Sequence, residues 1–202
     1  MVQGSYEGVE SKWPHAHFEP GLFLSMQRLL LSYPYFACFL FALYSEILIK
    51  TAMSMTLKVG DPAPAFEGID QDGQPIRLSD FRGRKLVLYF YPKDNTPGCT
   101  AQACDLRDNH AELQQAGYEV VGVSTDSPAS HRKFITRKQL PFRLIADEDH
   151  KIHDQYGTWV QKSMFGKKYW GTARQTFVID EAGKLEKIID KVKTGAHAAQ
   201  VL

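Results

Sequence analysis

From residue 55 onward, the apolar positions change spacing in an ordered way. The stretch FEGIDQDGQPIRL, residues 66–78, has two short apolar runs on either side of Asp70-Gln71-Asp72-Gly73, which predicts a β-hairpin near the start of the folded part. KLVLYFY, residues 85–91, is a continuous apolar, aromatic and β-branched run that suits a central strand covered on both faces, and Pro92 ends it. Over residues 100–115 and one position beyond, Ala103, Leu106, His110, Leu113 and Ala116 recur at intervals of three or four, predicting a helix closed by Gly117.

YEVVGVS predicts the next strand, and Ser127 or Pro128 opens a second helix to about Lys138. FRLIAD is read as a strand and residues 150–156 as a short helix. QTFVID and LEKIID, around Glu181-Ala182-Gly183-Lys184, form a closing hairpin, and a terminal helix opens at about Thr194 and is cut short by the chain end. Strands alternating with helices before a last hairpin describe an α/β fold with a mixed central sheet flanked by helices.

Residues 1–54 share neither period and read as an extension, leaving 55–202 as one domain. Residues 29–45 run uncharged between Arg28 and Glu46, at the short limit for a membrane span, and Pro34 and Glu46 weigh against one. A secretory signal fits poorly, because Glu7, Glu10 and Glu19 stand where a basic segment belongs. The expectation is a functional protein beginning at Met53 or Met55; a membrane tether through residues 29–49 and a packed helical extension are the alternatives. Cys38, within this segment, is expected to be an apolar filler without a redox role.

Charge narrows the partners. With 24 basic and 23 acidic side chains the formal net charge is +1, so no net field draws in nucleic acid or an anionic membrane. Three cysteines do not make a disulfide framework, and the odd count favours a reducing, cytoplasmic setting.

In YPKDNTPGCTAQACDLRD, residues 91–108, Cys99 falls at or just before the first turn of a helix, where free N–H groups and the helix dipole favour a thiolate. Pro92 and Pro97 stiffen the loop before it, and Thr96 stands three residues away with a hydroxyl that can turn to the sulfur and to a bound oxygen. Two half-buried structural thiols are the plain alternative. Zinc is disfavoured, since C-x4-C lacks a matching second half and His110, His150 and His153 are scattered; no metal or cofactor is expected. A dithiol exchanger of the C-x-x-C kind would use a closer spacing.

Pro92, Thr96 and Cys99 match the P-x-x-x-T-x-x-C signature of peroxiredoxins. TPGCTAQACDLRD with its C-x4-C spacing, together with STDSP, DEDH and GKKYWGTARQTFVID, resembles the bacterioferritin comigratory protein, or peroxiredoxin Q, group. The resemblance implies a thioredoxin-like fold and a thiol peroxidase acting on hydrogen peroxide and organic hydroperoxides, in antioxidant defence. It implies Cys99 as the peroxidatic cysteine, Cys104 as the resolving cysteine, Arg174 as the arginine that completes the site and thioredoxin as the reductant, with a monomer expected. A general thiol–disulfide oxidoreductase and a redox-sensing binding protein are the alternatives. Trp159, Tyr169 and Trp170 are read as partly buried loop aromatics, Lys162, Lys167 and Lys168 as a solvated stretch, and His131 and His197 receive no task.

Overall fold

A computed structural model describes residues 57–164 and 166–202. The apolar run of residues 29–45 and Cys38 lie outside them, as does the expected boundary near residue 54. Among the described residues no helix is long and apolar enough to cross a membrane.

The first hairpin joins β1 (Glu67–Asp70) to β2 (Pro75–Arg77), and a 3-10 turn (Leu78–Phe81) leads on to β3 (Lys85–Phe90). The helix after β3 is α1 (Pro97–Asp108), followed directly by α2 (His110–Gln115) and β4 (Tyr118–Ser124). Next come α3 (Pro128–Lys138), β5 (Arg143–Ala146) and α4 (Lys151–Gln155). The chain finishes with β6 (Trp159–Met164), β7 (Lys167–Thr172), β8 (Gln175–Ile179), β9 (Leu185–Ile189) and α5 (His197–Val201).

Seven strands form one sheet in the order β2-β1-β5-β4-β3-β8-β9. β3 pairs parallel to β4 and antiparallel to β8, and β4 pairs parallel to β5, so the sheet is mixed with β3 near its centre. The unbroken apolar run of β3 follows from this position. Val87 and Tyr89 enter one core with Cys99, Ala103, Leu106, Phe134 and Val201, while Leu86, Leu88 and Phe90 enter the other with Val121, Ile152 and Phe177. α1, α3 and α5 thus cover one face and α4 the other. Gly122, opposite Tyr89, admits that ring: a Cβ there would lie 2.7 Å from the Tyr89 Cζ.

Two expectations need correction. The single helix expected over residues 100–115 is two helices, because Asn109 adopts φ −103° and ψ 13° and its side-chain amide donates to the Asp105 carbonyl at 2.8 Å. The aromatics and lysines of residues 159–172 lie not in a loop but on a separate two-stranded ribbon, β6 with β7, registered Trp159 to Thr172. Gly166, at φ +77°, takes the left-handed conformation that its tight turn needs. Trp170 is 59% exposed and Tyr169 44%, so both are more open than expected.

Candidate active site

The junction of β3 and α1 builds the site. Thr96 is the N-cap of α1, Pro97 follows with no N–H to lose, and Cys99 stands in the first turn. The Thr100 N–H donates to the Thr96 carbonyl at 2.9 Å, so the amides of Gly98 and Cys99 precede the helical ladder and face the anion-favouring end of the dipole. Cys99 is buried, with 2% of its surface exposed, and Cys104, further along α1, is half-buried; both are free thiols.

Arg174, just before β8, reaches across to this turn. Its Nη2 donates to the Cys99 Sγ at 3.2 Å and its Nη1 donates to Gln102 Oε1. Antiparallel pairing sets this approach, for Gln175 is opposite Phe90 at the end of β3 that feeds the loop. Gly98 leaves the path open: a Cβ there would lie 3.4 Å from Arg174 Nη2. A fixed guanidinium beside the sulfur stabilises a thiolate and any negative charge developing on an oxygen bound there.

The loop from Pro92 to Thr96 is held by more than its prolines. The Asp94 carboxylate accepts from the Tyr91 hydroxyl at 2.8 Å and the Ser130 hydroxyl at 2.8 Å, and meets His131 Nδ1 at 2.9 Å, while its N–H donates to Asp126 at 2.8 Å. His131 Nε2 faces the Ile145 carbonyl at 3.1 Å. Burial raises the Asp94 pKa, but the hydrogen bond and charge of His131, with the Ser130 and Tyr91 hydroxyls, outweigh it and hold the carboxyl below its usual range. This buried cluster pins the cysteine loop to α3.

Thr96 departs from the sequence reading. Its hydroxyl donates to the Lys93 carbonyl at 3.0 Å rather than turning to Cys99, so its one proton is committed within the turn. Pro92 is half-buried where β3 gives way to the loop.

Several groups at the site escaped the sequence reading. Gln102 and His197 are fully buried and bonded to each other, Gln102 Nε2 to His197 Nδ1 at 3.1 Å. Lys162 is not solvated as expected: half-buried, it donates to the Thr172 carbonyl, and its pKa is lowered by burial and then by Arg174, with Cys99 opposing. The Tyr89 hydroxyl, in the core cluster that also holds Cys99, is buried without a hydrogen-bond partner among the described residues. Only the three-residue step from Cys99 to Gln102, which shares a helix face, was a signal the sequence could have offered.

Burial lowers the His197 pKa from 6.5 to about 4, with Asp105 opposing and Arg174 adding to the shift. The unfolded chain therefore takes up a proton that the folded state refuses. Stability from this group is full above pH 6.5 and is lost as pH falls toward 4, by about 3 kcal/mol in all. Denaturant midpoints measured across that window are expected to fall with pH, and His197→Asn to flatten the fall; an unaltered slope in the variant would assign it to other groups.

The AhpC/TSA family model matches residues 59–188. Peroxiredoxin Bcp of Escherichia coli (strain K12) is 49% identical over 146 residues, which cover 72% of this chain and 94% of that protein. Among solved structures, peroxidoxin BcpB from Mycobacterium tuberculosis is 35% identical with a TM-score of 0.64, covering 72% of this chain and 94% of that one. The bacterioferritin comigratory protein of Xanthomonas campestris, studied for its alkyl peroxide reduction activity, is 33% identical with a TM-score of 0.66, covering 72% and 92%.

Proposed function

The chain belongs to the AhpC/TSA family and is a peroxiredoxin, a thiol-dependent peroxidase, and from that premise we propose that Cys99 is its peroxidatic thiol, Cys104 its resolving thiol and Arg174 the cation that serves both attack and departure. The observation that carries this reading is the 3.2 Å approach of Arg174 Nη2 to the Cys99 sulfur in the first turn of α1.

The Cys99 thiolate attacks the terminal oxygen of a hydroperoxide. An S–O bond forms as the O–O bond breaks, and the electron pair leaves on the alkoxide or hydroxide, which takes up a proton to give alcohol or water. Arg174 and the free amides of the first turn stand where that charge develops. Cys99 is left as a sulfenic acid, and attack by the Cys104 sulfur forms the disulfide and releases water. An external dithiol, thioredoxin by resemblance, returns both cysteines to thiols while being oxidised itself. Pro92 and Thr96 shape the oxygen pocket, with Thr96 placed by its bond to Lys93.

Hydrogen peroxide and organic hydroperoxides are the proposed substrates; the alkyl peroxide reduction activity of the Xanthomonas campestris protein supports the second class. The catalytic unit is residues 55–202, acting as a cytoplasmic monomer. Hydroperoxide consumption coupled to thioredoxin oxidation tests the scheme, with Arg174→Ala expected to slow it about a hundredfold, as when one transition-state donor is lost. Consumption without thioredoxin oxidation would remove that reductant from the scheme, and an Arg174→Ala variant as fast as the native chain would make the arginine structural.

A further inference from the structure

Arg174 and Gln102 are the near end of a longer buried chain. Gln102, Thr176 and His197 are each fully buried, and no water or ligand is needed to join them. His197 Nδ1 faces Gln102 Nε2 at 3.1 Å and its Nε2 faces Thr176 Oγ1 at 3.0 Å. α5 is held against α1 beside them by the Ala198 N–H, which donates to Asp105 Oδ2 at 2.7 Å.

Every donor in this chain is oriented by its one group that cannot accept. A guanidinium only donates, so the Gln102 oxygen must face Arg174 and the Gln102 NH2 must face His197. His197 Nδ1 must then be the acceptor, which puts the ring proton on Nε2, pointing at the Thr176 oxygen. That requires a neutral ring, in keeping with its burial against Tyr89, whose ring centroid is 6.0 Å away, and with Arg174 on its polar side. A ring with its proton on Nδ1 would oppose the Gln102 NH2. Gln102 would then have to flip and turn that NH2 toward Arg174, where two donors would meet beside the Cys99 sulfur.

We infer that His197 is a positioning residue for peroxide reduction: by accepting from the Gln102 amide, with its proton held on Nε2 by Thr176, it keeps the Gln102 oxygen on Arg174 and so keeps the guanidinium on Cys99. A segment near the C-terminus, about a hundred residues from the cysteine helix in sequence, thereby sets the reactivity of the thiol. The inference rests on Cys99 being the peroxide-reactive cysteine.

The test follows the reduced full-length chain after mixing with hydrogen peroxide, reading the second-order rate of Cys99 oxidation separately from the first-order rate of disulfide formation. His197→Leu removes the acceptor and is expected to slow Cys99 oxidation roughly tenfold to a hundredfold. His197→Asn returns an acceptor oxygen near the Nδ1 position and is expected to recover the rate to within about threefold of the native chain. Thr176→Val, two links from Arg174, is expected to slow oxidation roughly threefold or more by freeing the ring proton to move to Nδ1. Disulfide formation is expected to be unchanged or faster in all three variants, because it does not use the guanidinium in this way.

His197→Leu reacting at the native rate overturns the inference, and so do equal losses in His197→Leu and His197→Asn, which would reduce His197 to packing. Should His197→Leu fail to fold, Thr176→Val at the native rate overturns it alone. Failure of the underlying assignment looks different: Cys99 of the native chain would then stay fully alkylatable after peroxide.

Discussion

Cys99→Ser is expected to abolish hydroperoxide turnover, a loss of at least about a thousandfold, because a hydroxyl cannot supply the nucleophile that the site is arranged to hold. Arg174 and the first-turn amides favour an anion on this atom, yet a serine hydroxyl stays protonated at neutral pH even beside a cation. Cys104→Ser should behave differently. It keeps the Cys99 sulfur, its arginine and its loop, so it is expected to consume about one equivalent of hydroperoxide and stop as a sulfenic acid. Peroxide titration with intact-mass measurement distinguishes the two variants, through an added oxygen in Cys104→Ser and no change in Cys99→Ser. Turnover by Cys99→Ser equal to the native chain would remove Cys99 from the mechanism.

Oxidation is expected to melt the helix that carries both thiols. Cys99 and Cys104 lie on the same helix, α1. Residues five apart on an intact α-helix are separated by about 7.5 Å of rise and about 140° of turn, so their Cα atoms stand roughly 8.5 Å apart. A disulfide tolerates at most about 7 Å. The bond therefore closes only after the first turns of α1 unwind.

That motion has identifiable costs. It withdraws Gln102 from His197 and Asp105 from the Ala198 N–H, and it strips Ala103 and Leu106 from the core they share with Val87 and Val201. Amide exchange from Cys99 to Asp108 is expected to be faster in the disulfide form by on the order of a hundredfold, with lower helicity, and exchange in α5 to rise with it. Amides of β3 and β4, at the sheet centre, should change little. Equal exchange across α1 in the two states would mean that Cys104 does not resolve Cys99.

Local patterning was enough to read the scaffold of this protein. The buried run of β3, the turn chemistry between β1 and β2, the Ser127-Pro128 start of α3 and the last hairpin all rest on neighbours in sequence, and the structure has each of them. The strand end at Pro92 and the helix start at Cys99 were legible for the same reason, both being local features, while the signature Pro92, Thr96, Cys99 was read by resemblance and the N-cap role of Thr96 came from the structure. The break at Asn109 was not, because a side-chain amide competing for the Asp105 carbonyl leaves the apolar period on both sides undisturbed. The ribbon of β6 and β7 also escaped, since its strands bury little and pair mainly with each other.

By itself, then, the sequence determined an α/β chain with a cysteine at a helix start, because periodicity, turn residues and helix-end signals act over a few residues. Only the tertiary structure decided which groups meet that cysteine. Arg174 arrives from 75 positions away through the pairing of β8 with β3, His131 reaches Asp94 across 37, and His197 reaches Gln102 across 95. Contacts at such separations are set by sheet order and by burial in a shared core. A histidine with both nitrogens satisfied there looks, in sequence, like any other.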